Sequence, residues 1–66
     1  MIEIIFNGKS LKIEENTSLQ DFASKNLPEG KFAIEVDLEV VPKSQYSEFI
    51  LQDGMKVEAI TFVGGG

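Results

Sequence analysis

Residues 2–6 alternate, with Ile2, Ile4 and Phe6 on one side and Glu3 and Ile5 on the other. Asn7-Gly8 follows, the pair that best suits a type I′ turn, because both central residues of that turn need positive φ. "SLKIE" then alternates again through Leu11 and Ile13, so residues 2–14 read as a β-hairpin with one apolar face. The period changes in "ENTSLQDFASKNLPEG". Thr17 with Gln20 three residues later fits a capping box, and Leu19, Phe22, Ala23 and Leu27 fall on one helical stripe. Pro28 disfavours helix at Leu27 and Gly30 marks the exit, which predicts a helix of roughly ten residues laid over the hairpin's apolar face.

"KFAIEVDLEVV" returns to strand, with Phe32, Ile34 and Val36 on one parity, a turn at Asp37-Leu38, Val40 and Val41 beyond it, and Pro42 as the stop. "SQYSEFILQDG" suits a helical turn capped by Ser44 that buries Tyr46, Phe49 and Ile50. Asp53-Gly54 turns the chain into a last strand over residues 56–63. That strand is apolar on both faces, Val57 and Ala59 against Ile60 and Phe62, as a central strand or an edge of a binding face would be. The order is β, β, α, β, β, short turn, β. We expect an α+β β-grasp (ubiquitin-like) fold: a mixed four- to five-stranded sheet, the last strand beside the first, and one main helix across one face. Ile4, Phe6, Leu11, Ile13, Leu19, Phe22 and Val57 are its expected core. A split βαβ unit would require a second real helix, for which "SQYSEFI" is too short.

Composition narrows the function. A chain of 66 residues is one domain, and a large concave active site would consume core that it cannot spare. Cysteine and histidine are both absent, which removes the thiolate nucleophile, the disulfide, the commonest general base and the commonest neutral metal ligand. We therefore expect no metal, no bound cofactor and no catalysis by the chain's own side chains. Net charge is −5, from 11 acidic and 6 basic residues, which argues against nucleic acid and against anionic membranes. It serves solubility or a complementary basic partner. No signal-like segment opens the chain and no apolar stretch approaches a membrane span; Met1 reads as the initiator and the protein as soluble, cytoplasmic and monomeric when free.

The chain closes on "TFVGGG". Glycine loses the most conformational freedom on folding, so Gly64, Gly65 and Gly66 suit a flexible tail better than a fold. We expect a domain over residues 1–63 and a tail over 64–66. Three extended residues reach about 10 Å, enough to thread a narrow channel. Ile5, Ile60 and Phe62 are expected to face away from the helix as one apolar partner-binding patch beside that tail.

At this point the chain resembles a known family over essentially its whole length. The opening strand ends in "FNGK"; "AIEVD", "VVPKSQY", "LQDG" and "VEAITFV" follow in register, and Gly-Gly closes the chain. Together these resemble the ThiS family, ubiquitin-like sulfur carriers of thiamine biosynthesis. Asp37-Leu38 stands where the family commonly has Asn-Gly, Lys43 where Arg is usual, Met55 where an acidic residue often follows, and Tyr46 where Trp is frequent. None of these departures touches the tail, although leucine resists positive φ.

The resemblance implies a role for Gly66. An α-carboxyl group has a reference pKa of roughly 3.3 to 3.7 and is a poor acyl electrophile once ionised. A ThiF-type adenylating enzyme would activate Gly66 with ATP. A sulfur donor of the cysteine desulfurase or rhodanese type would leave it a thiocarboxylate, and thiazole synthase would consume the sulfur. Gly66 is then the sulfur-attachment residue, Gly64 and Gly65 provide access to it, and the protein is a co-substrate, not an enzyme. Two other roles use the same tail. One is that of a molybdopterin-synthase small subunit or a tRNA-thiolation carrier; the other is that of a ubiquitin-like modifier or plain binding module.

Overall fold

The computed structural model describes residues 1–27 and 31–61. Five strands form one sheet: β1 (Ile2–Phe6), β2 (Lys9–Ile13), β3 (Phe32–Val36), β4 (Glu39–Val41) and β5 (Lys56–Thr61). Their order is β2-β1-β5-β3-β4, so the last strand lies at the centre as expected. β1 and β5 run parallel, and every other pair is antiparallel. A single α-helix, α1 (Leu19–Asn26), covers one face, and a 3₁₀ turn at Lys43–Gln45 follows β4.

Alternation decides which side chains meet the helix. Ile4, Ile34, Val36, Val41 and Val57 are buried from the sheet, and Leu19, Phe22 and Ala23 meet them from α1. Phe6, Leu11, Ile13 and Leu27 are half-buried around this set. The Phe6 and Phe22 rings meet edge to face at 5.0 Å between centroids, an arrangement aromatic pairs favour. The expected core is therefore real but incomplete. Tyr46 and Leu51, each 2% exposed, close it beneath β3 and β4, and Tyr46 stacks on Phe32 at 6.3 Å.

Three local expectations need correction. The helix has eight residues and its N-cap is Ser18, whose Oγ accepts the Asp21 N–H at 3.1 Å. Thr17 does not cap; its hydroxyl donates to the Glu14 carbonyl at 2.6 Å. The cause is remote in sequence. The Leu51 N–H donates to the Thr17 carbonyl at 2.9 Å and the Leu19 N–H to the Phe49 carbonyl at 2.7 Å, while Ser18 bridges Ile50. Those bonds hold residues 17–19 against the 49–51 loop and move the helix start one residue on. Ser44 likewise lies inside the 3₁₀ turn, with Pro42 at its N-cap and no side-chain capping bond. Ile50 remains 38% exposed where burial was expected.

The turn at Asp37-Leu38 is of the kind Asn-Gly would make. Asp37 and Leu38 have φ of 50° and 72°, close to Asn7 and Gly8 at 47° and 84°. Both hairpins therefore use a two-residue loop with positive φ throughout, and one of them places a leucine there.

Candidate functional site

β5 carries whatever follows Thr61, so its anchoring defines the site. On one side it pairs with β3 from Val36↔Val57 to Phe32↔Thr61. On the other it pairs with β1 only through Ile5↔Lys56 and Phe6↔Val57, because the chain then turns into β2. Side chains from the two hairpin turns continue both ladders. The Lys56 N–H donates to Asp37 Oδ1 at 3.0 Å, while the Asp37 N–H donates to the Lys56 carbonyl at 2.8 Å. The Ala59 N–H donates to Asn7 Oδ1 at 2.9 Å, while the Asn7 N–H donates to the Val57 carbonyl at 2.9 Å. Each turn thus presents a short polar side chain from a residue that tolerates positive φ, and each captures one amide of β5. A third contact of this type ties the strand beside it, where the Glu3 N–H donates to Asp53 Oδ1 at 2.8 Å.

The six expected site residues divide unevenly. Phe62, Gly64, Gly65 and Gly66 lie outside the described residues, as do the last two positions of the expected strand 56–63. Ile5 and Ile60 do share the face turned away from α1, at 38% and 50% exposure. They are not neighbours. Ile5 registers with Lys56, four residues before Ile60, an offset of about 13 Å along the strand. Lys56 and Glu58 occupy the same face of β5 between them, and Glu58 stands directly opposite Glu35 of β3. The continuous patch is therefore interrupted by charge, because the parallel register of β1 and β5 was not encoded in either strand's own pattern. Ile60 instead pairs with Ala33, next to the end of the sheet from which the chain leaves β5.

That end gathers the Asn7-Gly8 turn, the start of β3 and Lys43, whose Nζ lies 5.3 Å from the centroid of the Phe32 ring. Two further exposed apolar side chains lie elsewhere, Leu38 at 81% at the opposite end and Val40 at 64% along β4. Among the described residues no group of three or more His, Cys, Asp or Glu side chains could hold a metal ion. The grooves are shallow. One of about 250 Å³ runs between α1 and β2, lined by Leu11, Ile13, Phe22 and Lys25, away from β5. The Tyr46 hydroxyl has a raised pKa, chiefly because burial disfavours its phenolate. No described helix is long and apolar enough to cross a membrane.

The signal missed in the sequence was the reach of Asn7, Asp37 and Asp53. Each was legible as a turn residue, whereas the amide it captures lies 52, 19 and 50 residues away.

Known proteins with this arrangement agree among themselves. The ThiS family model matches residues 3–66. The crystal structure of a thiamine biosynthesis protein, ThiS, from Geobacter metallireducens superimposes with a TM-score of 0.83 at 25% sequence identity, covering 98% of this chain and 100% of that one. A protein of Paramagnetospirillum magneticum named thiazole synthase is 30% identical over 66 residues, which cover 98% of this chain. The chain spans only about a fifth of that relative's length, 20%. A β-grasp sheet with a central last strand, matched from the first strand to the closing glycines, assigns the chain to one family: it belongs to the ThiS family.

Proposed function

We propose that this protein is a sulfur carrier of thiamine biosynthesis, loaded at the Gly66 carboxylate. One observation carries the reading: the family match runs to residue 66, through the three glycines, on a fold that covers the whole of a ThiS protein. The chemistry follows from what the chain lacks. With no cysteine or histidine it has no sulfur nucleophile and lacks the commonest general base, which supports partners as the source of both activation and sulfur. In an activating enzyme of the ThiF type, a Gly66 carboxylate oxygen attacks the α-phosphorus of ATP, forming an acyl adenylate and releasing pyrophosphate. The terminal sulfur of a donor's persulfide attacks the acyl carbon and expels AMP. A thiol then cleaves the S–S bond, and the sulfur stays on Gly66 as a thiocarboxylate.

The protein is the substrate of these steps, and its own contribution is delivery. Gly66 is five positions beyond Thr61, a span of at most about 18 Å. Glycine at the last three positions leaves no Cβ to obstruct attack on the acyl carbon. The relative named thiazole synthase contains a stretch similar to this chain, which supports a thiazole synthase as the consumer of the sulfur. Partners that use ATP and persulfide sulfur support a cytoplasmic location.

The test is ATP–pyrophosphate exchange with the cognate activating enzyme, followed by intact-mass measurement of the carrier. Replacement of one oxygen by sulfur at the C-terminus is the expected result. Attachment of the chain to lysines of other proteins would identify a modifier instead, and transfer of the sulfur to a molybdopterin precursor would move the carrier to that pathway.

A further inference from the structure

We propose that Asn7 is a positioning residue for sulfur loading: its side-chain oxygen fixes the last rung of β5 on the β1 side and with it the course of the strand toward the tail. The proposal rests on the carrier reading above. Main-chain groups of alternate β5 residues point to alternate sides. Those of Lys56 meet Asp37 on the β3 side, and those of Val57 and Ala59 point toward β1. The β1 backbone serves Val57 through the Asn7 N–H, and there it ends, since Asn7 already has a φ of 47° and begins the turn. The next amide on that side is Ala59, and no strand carbonyl is left to receive it. Asn7 Oδ1 stands at 2.9 Å in the place of that carbonyl.

Without this bond β5 would be held beyond Val57 from the β3 side alone, and it could pivot about that single ladder. Ala59 lies seven residues before Gly66, so a pivot there shifts the origin from which the tail must reach the activating site. Acyl activation needs its reacting atoms about 3 to 3.5 Å apart, a tolerance such motion easily exceeds. A turn requirement alone would account for an asparagine at this position, since it accepts positive φ. Two substitutions separate the roles. Asn7→Gly satisfies the turn and removes the oxygen; Asn7→Asp keeps an oxygen within reach.

The experiment pairs amide hydrogen exchange on the full chain with steady-state adenylation by the cognate activating enzyme. In Asn7→Gly the Ala59 amide should exchange about tenfold faster while the Ile34 amide is unchanged, and kcat should fall about five- to tenfold with KM nearly constant, as expected for one lost hydrogen bond. Asn7→Asp should restore both. An Ala59 amide that stays protected in Asn7→Gly, equal acceleration of all core amides, or a deprotected Ala59 amide with unchanged kcat would each overturn the proposal. A wild-type chain that is never adenylated fails earlier and separately. It overturns the carrier reading, and the positioning role with it.

Discussion

Leu38 has a φ of 72° and 81% of its side chain in water. An L-residue in the left-handed region costs about 1 to 2 kcal/mol, and a side chain this exposed recovers little of that by packing. Its neighbour Asp37 makes the conformation tenable by exchanging two hydrogen bonds with Lys56. Leu38→Gly should therefore raise stability by about 0.5 to 1 kcal/mol, after the extra chain entropy of glycine is subtracted. Urea unfolding checks it, and a lowered midpoint would mean that Leu38 contributes packing its exposure conceals. Tyr46 makes a second prediction. Burial raises its pKa in the fold, while an unfolded tyrosine titrates near about 10. Above that value the folded state keeps a proton that the unfolded state has released, so this contribution is intact below about pH 10 and is lost as pH rises through the folded pKa. Tyr46→Phe keeps the ring and removes the ionisation. The wild-type stability should decline more steeply than the variant's above about pH 10, and parallel declines would assign the alkaline loss to other groups. Since this is the chain's only tyrosine, its phenolate absorbance reports the titration directly.

Elements were legible where the cause was local. The Asn7-Gly8 hairpin, the α1 stripe and the strand alternation come from residues within a few positions of one another, and the structure reproduces them. The start of α1 was not legible to the residue, because Thr17 and Ser18 are both competent caps and the choice between them is made by the 49–51 loop. Ser18→Ala should cost about 1 kcal/mol, since it leaves the Asp21 N–H without its acceptor. Gln20→Ala should stay within about 0.5 kcal/mol, because the capping-box role read for it is not realised. Thermal or urea denaturation of the two variants decides between the caps. Equal losses would restore the box, and a silent Ser18→Ala would show that the 49–51 contacts alone hold the helix start.

At the scale of the whole molecule, the functional reading depends on which strand lies at the centre and how far it is held. The two-sided apolar pattern of β5 pointed to its central place, but its parallel register with β1 involves residues some fifty positions apart and leaves no local trace. That register separates Ile5 from Ile60, and it also leaves Ala59 to Asn7. The role proposed for Gly66 rests on a different kind of signal, three closing glycines together with a whole-chain family resemblance. If the tail is a substrate read by length, adding one alanine after Gly66, or deleting Gly66, should abolish adenylation. One residue of slip moves the carboxylate by more than about 3 Å, comparable to the whole separation of the reacting atoms. Fold stability should be unchanged in both variants, because the core from Ile4 to Val57 closes with partners that all precede the tail. Pyrophosphate exchange and intact mass measure the first half, and the urea midpoint measures the second. An extended chain that is still adenylated and thiolated at the native rate would mean that the activating site does not measure the distance from the sheet to the carboxylate, and the role given to β5 as a fixed platform would fall.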